Sequence, residues 1–147
     1  MKKQAYTVIA LFVLAVSMAV AAQAQTSGRT QLVATIPFQF VAGDKTLPAG
    51  EYTVTEVNTS SDRIALQLRS KDGASVLLTT MPVIARAQDS SKLVFHRYGN
   101  QHFFSQVWLD GENTGLQAPE AKAERMIARE TNSSKPAMET VAISRQR

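Results

Sequence analysis

Two histidines, His96 and His102, are by type the residues best suited to acid–base or metal chemistry in this chain, which contains no cysteine. They flank Gly99-Asn100 on what read as two arms of one β-hairpin. Whether they can cooperate depends on register. A two-residue Gly99-Asn100 loop pairs Tyr98 with Gln101, Arg97 with His102 and His96 with Phe103, and sends the imidazoles to opposite faces. A three-residue Gly99-Asn100-Gln101 loop pairs Tyr98 with His102 and makes the histidines diagonal neighbours on one face, about 7–8 Å apart. Gly-Asn is a recognised two-residue hairpin loop, which favours opposite faces. His96 is then expected partly buried and hydrogen-bonded, with His102 at the surface. On one face they would still need a third metal ligand, and none lies nearby in sequence.

Other constellations are thinner. Asp110-Gly111-Glu112-Asn113-Thr114-Gly115 imitates the start of a calcium loop, but Ala121 occupies the twelfth position, where a bidentate glutamate is required. A solvated turn is the expected reading. There is no Gly-x-Ser-x-Gly elbow, Ser-x-x-Lys or His-Glu-x-x-His, and the glycines are scattered singly rather than gathered into a phosphate loop. No spacing nominates a pair of catalytic carboxylates, although two acids from distant strands could still meet. No enzyme activity, metal or cofactor is therefore expected. Phe38, Phe40, Tyr52, Phe95, Phe103, Phe104 and Trp108 read first as core, and an exposed Phe103 or Phe104 beside Tyr98 or Trp108 would instead be an interaction patch. The adjacent Phe103 and Phe104 must face opposite ways in a strand, so His96, Tyr98, Phe103, Phe104 and Trp108 form the candidate interaction surface.

These residues sit on strands. Apolar positions alternate with period two between turn markers, the pattern of half-buried antiparallel β-structure. From Thr30 to Phe40, residues Leu32, Ala34, Ile36, Phe38 and Phe40 share a face, and Pro37 marks an edge or bulge. Leu47-Pro48-Ala49-Gly50 reads as a tight turn, expected to be crowded at Gly50. Strands follow at Glu51–Val57, Arg63–Arg69 and Ala74–Met81, the last two joined across Asp72-Gly73. Pro82 is expected to interrupt, with Val83–Ala87 a short continuation. Lys92–Tyr98 and Gln101–Leu109 make the histidine hairpin. Asp110–Gly115 reads as a loop, and Pro119 opens a helix over Glu120–Glu130 with a thin apolar face of Ala123, Met126 and Ile127. From Thr131 the tail is polar and expected to be disordered.

The chain's first segment reads as an address. Lys2 and Lys3 precede an apolar stretch from Ala5 to Ala22, then Ala22-Gln23-Ala24, which together form a secretory signal pattern with cleavage expected after Ala24. Residues 25–30 form a flexible start. The formal charge of +4 over 147 residues is unevenly placed. Residues 25–124 carry nine Lys/Arg against ten Asp/Glu, and residues 125–147 carry five against two. A near-neutral body with a mildly basic tail argues against nucleic acid as a partner. Most strands are too short, and the aromatics too few, for a membrane-spanning barrel. An exported, cysteine-free domain must rely on its hydrophobic core, which suggests a bacterial periplasmic or extracellular setting.

Ile36-Pro37-Phe38-Gln39-Phe40, Leu47-Pro48-Ala49-Gly50-Glu51-Tyr52-Thr53-Val54, Leu93-Val94-Phe95-His96-Arg97-Tyr98-Gly99, Val107-Trp108 and Lys122-Ala123-Glu124-Arg125 resemble segments of a family of small exported bacterial proteins of unknown function. Its opening has the form I-P-F-x-F … L-P-A-G-x-Y-x-V, and the likeness covers roughly residues 36–125. The resemblance implies export and β architecture and carries over no functional residue.

The expected fold is all-β: a small antiparallel sandwich or barrel of six to eight strands over residues 31–130, with one short C-terminal helix. The expected function is that of an exported non-catalytic binding or structural module, with a protein or glycan partner in the envelope and no membrane span after cleavage. The alternatives are a small secreted hydrolase assembled from distant strands, or a barrel that carries an apolar ligand.

Overall fold

The computed structural model describes residues 31–58, 64–131 and 135–145. The expected leader, 1–24, and flexible start, 25–30, lie outside them. In chain order the strands are β1 (Gln31–Ile36), β2 (Phe40–Ala42), β3 (Lys45–Leu47), β4 (Gly50–Asn58), β5 (Ile64–Ser70), β6 (Ser75–Ile84), β7 (Lys92–Tyr98), β8 (Gln101–Trp108) and β9 (Thr114–Gln117). Helix α1 (Lys122–Glu130) and strand β10 (Ala137–Arg145) complete the chain. Eight strands close an antiparallel barrel in the order β1-β4-β5-β6-β9-β8-β7-β10, with β10 returning to β1. Of the sandwich and barrel expected from sequence, the barrel is the one formed.

Alternation fills its interior. Leu32, Ala34 and Ile36 of β1, Tyr52 and Val54 of β4, and Leu66 and Leu68 of β5 point inward, together with Leu93, Phe95, Phe104 and Val107 from β7 and β8. The β2–β3 hairpin adds Phe40, Ala42 and Leu47, and Phe40 packs edge-on to both Tyr52 and Phe95. Eight strands enclose a space that side chains alone can fill. The two largest inward polar groups are satisfied within it: Thr80 Oγ1 donates to the Ile64 carbonyl at 2.7 Å, and the Tyr52 hydroxyl to the Pro48 carbonyl at 2.7 Å. An apolar interior with Thr53, Arg69 and Thr79 turned outward is the inverse of a membrane-spanning barrel.

The structure departs from the sequence reading in five places. The polar tail is ordered as β10, inserted between β7 and β1, so the domain extends to Arg145. Residues 114–117, of which Thr114 and Gly115 read as loop and the next two were given no element, form β9 and close the barrel between β6 and β8. Pro82 does not interrupt β6: the strand pairs with β5 as far as Thr80 and with β9 from Met81, and proline sits at that exchange of partners. The run from Thr30 to Phe40 breaks at Pro37 into two strands rather than bulging as one. The expected crowding at Gly50 is absent, since a Cβ there meets no atom within 4 Å; Gly115 is the crowded glycine, its Cβ position only 2.6 Å from the Trp108 indole.

Candidate functional site

The histidine hairpin adopts the two-residue register: Tyr98 pairs with Gln101, Arg97 with His102 and His96 with Phe103. The imidazoles therefore lie on opposite faces of the barrel wall and cannot act together. Each instead finds a carboxylate from an element distant in sequence.

His96 points outward from β7. The ladder slips between Val94 and Phe95, so that one extra residue, Ser105, is accommodated on β8. Such a bulge re-aims a side chain, and Ser105 shares the outer face with His96. Its Oγ lies 3.1 Å from His96 Nε2. Helix α1 then covers the pair and brings Glu124 Oε1 to 2.6 Å from His96 Nδ1. With Nδ1–H donating to the carboxylate, Nε2 is left to accept the serine hydroxyl.

Hydroxyl, imidazole and carboxylate in that order form the relay of serine hydrolases. Here the order is turned inward: Ser105 is 4% exposed and Glu124 2%. The Ser105 carbonyl also accepts the Ala118 N–H at 2.8 Å, tying the segment before α1 to the same bulge. Physically the relay is a bracket. It clamps a nine-residue helix, too short to be stable alone, to the barrel wall. Of the apolar face expected for that helix, Ala123 and Met126 are exposed and Ile127 is half-buried, and the buried residue is Glu124. Tyr98, from the same face, packs edge-on to Phe103. Burial, then the charges of Glu124 and Glu120, raise its phenol pKa above the ordinary value.

His102 is not a surface residue. Its ring stacks on Phe38 at 3.8 Å, and its Nε2 lies 2.8 Å from Glu139 Oε2. Arg97 Nε approaches the same oxygen at 3.7 Å. The burial comes from β10, which brings Glu139, and from the link after β1, which brings Phe38; neither was assigned to this place from sequence. His102 Nδ1 is buried with no hydrogen-bond partner.

The expected interaction surface does not form an exposed patch. Phe103, Phe104 and Trp108 are 0%, 3% and 5% exposed. The adjacent phenylalanines alternate in regular register ahead of the bulge: Phe104 enters the barrel core, and Phe103 lies outside it, edge-on to Tyr98. Asp110–Asn113 forms the turn from β8 to β9, where the Asp110 N–H donates to Ser91 Oγ, and Thr114 is drawn into the ladder with Ile84. Among the described residues no three His, Asp or Glu side chains are placed to hold a metal. Ser105, Glu124 and Glu139 were missed from sequence; the one available signal was the Phe103-Phe104 pair, which a strand with one solvated face cannot bury.

No protein-family model, curated protein or solved structure matches the chain.

Proposed function

We propose that this protein is an exported, non-catalytic binding or structural module of a bacterial envelope, with a protein or glycan partner met at its outer surface. The observation that carries the reading is the packed barrel. Tyr52, Phe40, Phe95, Ile36, Leu66 and Leu68 are each less than 2% exposed. A lumen filled to that degree leaves no room for an apolar cargo, unlike ligand-carrying barrels of the same strand number. The leader pattern at residues 1–24 supports export, and the absence of cysteine in such a domain favours a bacterial envelope.

The test is a native mass spectrum of the protein recovered from the exported fraction of its own host. The expected species begins at Gln25 and carries no lipid. Retention of residues 1–24, or a co-purified lipid, would overturn the reading.

A second reading, a small hydrolase, is favoured by the Ser105–His96–Glu124 order. It expects hydrolysis of an activated ester by the wild type, lost in Ser105→Ala at unchanged melting temperature.

A further inference from the structure

The chain has five methionines and no cysteine. Met1 and Met18 fall in the leader pattern, and the other three are Met81, Met126 and Met138. Methionine is among the side chains most often buried. Here all three are open to solvent: Met81 is 62% exposed, Met126 54% and Met138 62%. The core among the described residues contains no methionine.

Each is turned outward by a neighbour that is held inward. Met81 follows Thr80, whose hydroxyl donates to the Ile64 carbonyl, so alternation sends the thioether to the outer face opposite Gln117 of β9. Met138 precedes the inward Glu139 and stands opposite His96, which points out of the barrel. Met126 lies two residues after Glu124, about 200° further round the helix. The carboxylate that grips His96 therefore turns Met126 away from the wall. A solvated thioether is a soft nucleophile open to peroxides.

We propose that Met81, Met126 and Met138 are reversible sulfoxidation sites, through which the folded domain accepts oxygen from hydrogen peroxide or an alkyl hydroperoxide. The sulfur lone pair attacks one peroxide oxygen. The S–O bond forms as the O–O bond breaks, and the proton on the transferred oxygen passes to the departing one. The thioether is oxidised to a sulfoxide, while hydrogen peroxide is reduced to water and an alkyl hydroperoxide to its alcohol. Methionine sulfoxide reductases reverse the change, one for each epimer: two thiols become a disulfide and the oxygen leaves as water. Burying the polar sulfoxide would be costly. At these three positions its oxygen stays in water, so the barrel keeps its packing. This chemistry is independent of the binding-module reading and of export.

The test treats the folded protein with excess hydrogen peroxide and follows each site by tryptic peptide mapping. Cleavage places the three methionines on separate peptides, 72–86, 126–129 and 130–145. Each is expected to gain one oxygen, at a rate within about threefold of that of N-acetylmethionine amide. Peptide 98–122, which carries the buried Trp108, is expected to gain none. The oxidised protein is expected to melt within about 3 °C of the untreated one. Both reductases with dithiothreitol are expected to return all three peptides to their original mass. A site that reacts more than about tenfold slower than the free amide, loss of the cooperative melt on oxidation, or sulfoxides that the reductases leave in place on the native protein would overturn the proposal.

Discussion

Glu124, on a helix that follows the last barrel hairpin, lies 2.6 Å from Nδ1 of His96 on β7, and both are shielded from solvent. This contact, rather than an apolar stripe, fixes α1 to the barrel. Removing one partner leaves a buried polar group unpaired, which costs more than the pair contributes when intact. Glu124→Ala is expected to lower stability by about 2–3 kcal/mol. His96→Ala combined with Glu124→Ala should cost less than the two single changes added together, as a double-mutant cycle by urea unfolding would show. Strict additivity would mean the pair is not coupled.

Gly115 packs against the face of Trp108, and a Cβ there would stand 2.6 Å from Cδ2 of the indole. Gly115→Ala therefore forces either the ring or β9 to move, at a cost of about 1–3 kcal/mol. Gly115→Ala with Trp108→Leu should recover part of the loss in a thermal melt. An unchanged melting temperature for Gly115→Ala would show that the indole yields freely.

Tyr52 is fully buried with its hydroxyl on the Pro48 carbonyl. Burial, reinforced by Asp72 and opposed by a hydrogen bond with Ser70, raises its pKa above 10.0. Above pH 10 the unfolded chain releases this proton while the folded chain keeps it, so stability is complete below that pH and falls as pH rises through and beyond it. Tyr52→Phe should lose about 1 kcal/mol at neutral pH through the missing hydrogen bond. It should also lose less between pH 9 and 11 than the wild type, measured by denaturant midpoints.

β10 is a wall of the barrel rather than a tail. Truncation after Glu130 removes Val141 and Ile143 from the core and separates β7 from β1. The truncated chain is expected to lose its cooperative unfolding transition and its near-ultraviolet circular dichroism. A sharp transition with the full-length midpoint would contradict the closed barrel.

Local rules reached the hairpins and stopped where tertiary pairing decides. Gly99-Asn100 specifies its turn chemically, so the register beside it could be read directly, whereas Asp72-Gly73 marked a turn whose register, with Arg69 opposite Ser75, was not read. β10 could not be read in this way. Its only buried side chains among the described residues are Val141 and Ile143, and the inward position before them is Glu139, a carboxylate held by His102 and Arg97 from the neighbouring strands β8 and β7. β9 has four residues, one of them a glycine against a tryptophan. Glu124 looked like a solvated helix residue, because nothing local says that a histidine and a serine on a bulge will face it. Pairs formed across 28 and 37 residues of sequence hold both histidines, and no spacing rule spans such distances.

On the proposed reading, Ser105, His96 and Glu124 brace the fold instead of performing acyl transfer. Intact-mass analysis of the folded protein after incubation with a fluorophosphonate tests it most directly. No adduct is expected on the native protein. A stoichiometric adduct at Ser105, abolished by His96→Ala, would contradict it and make the relay a catalytic one.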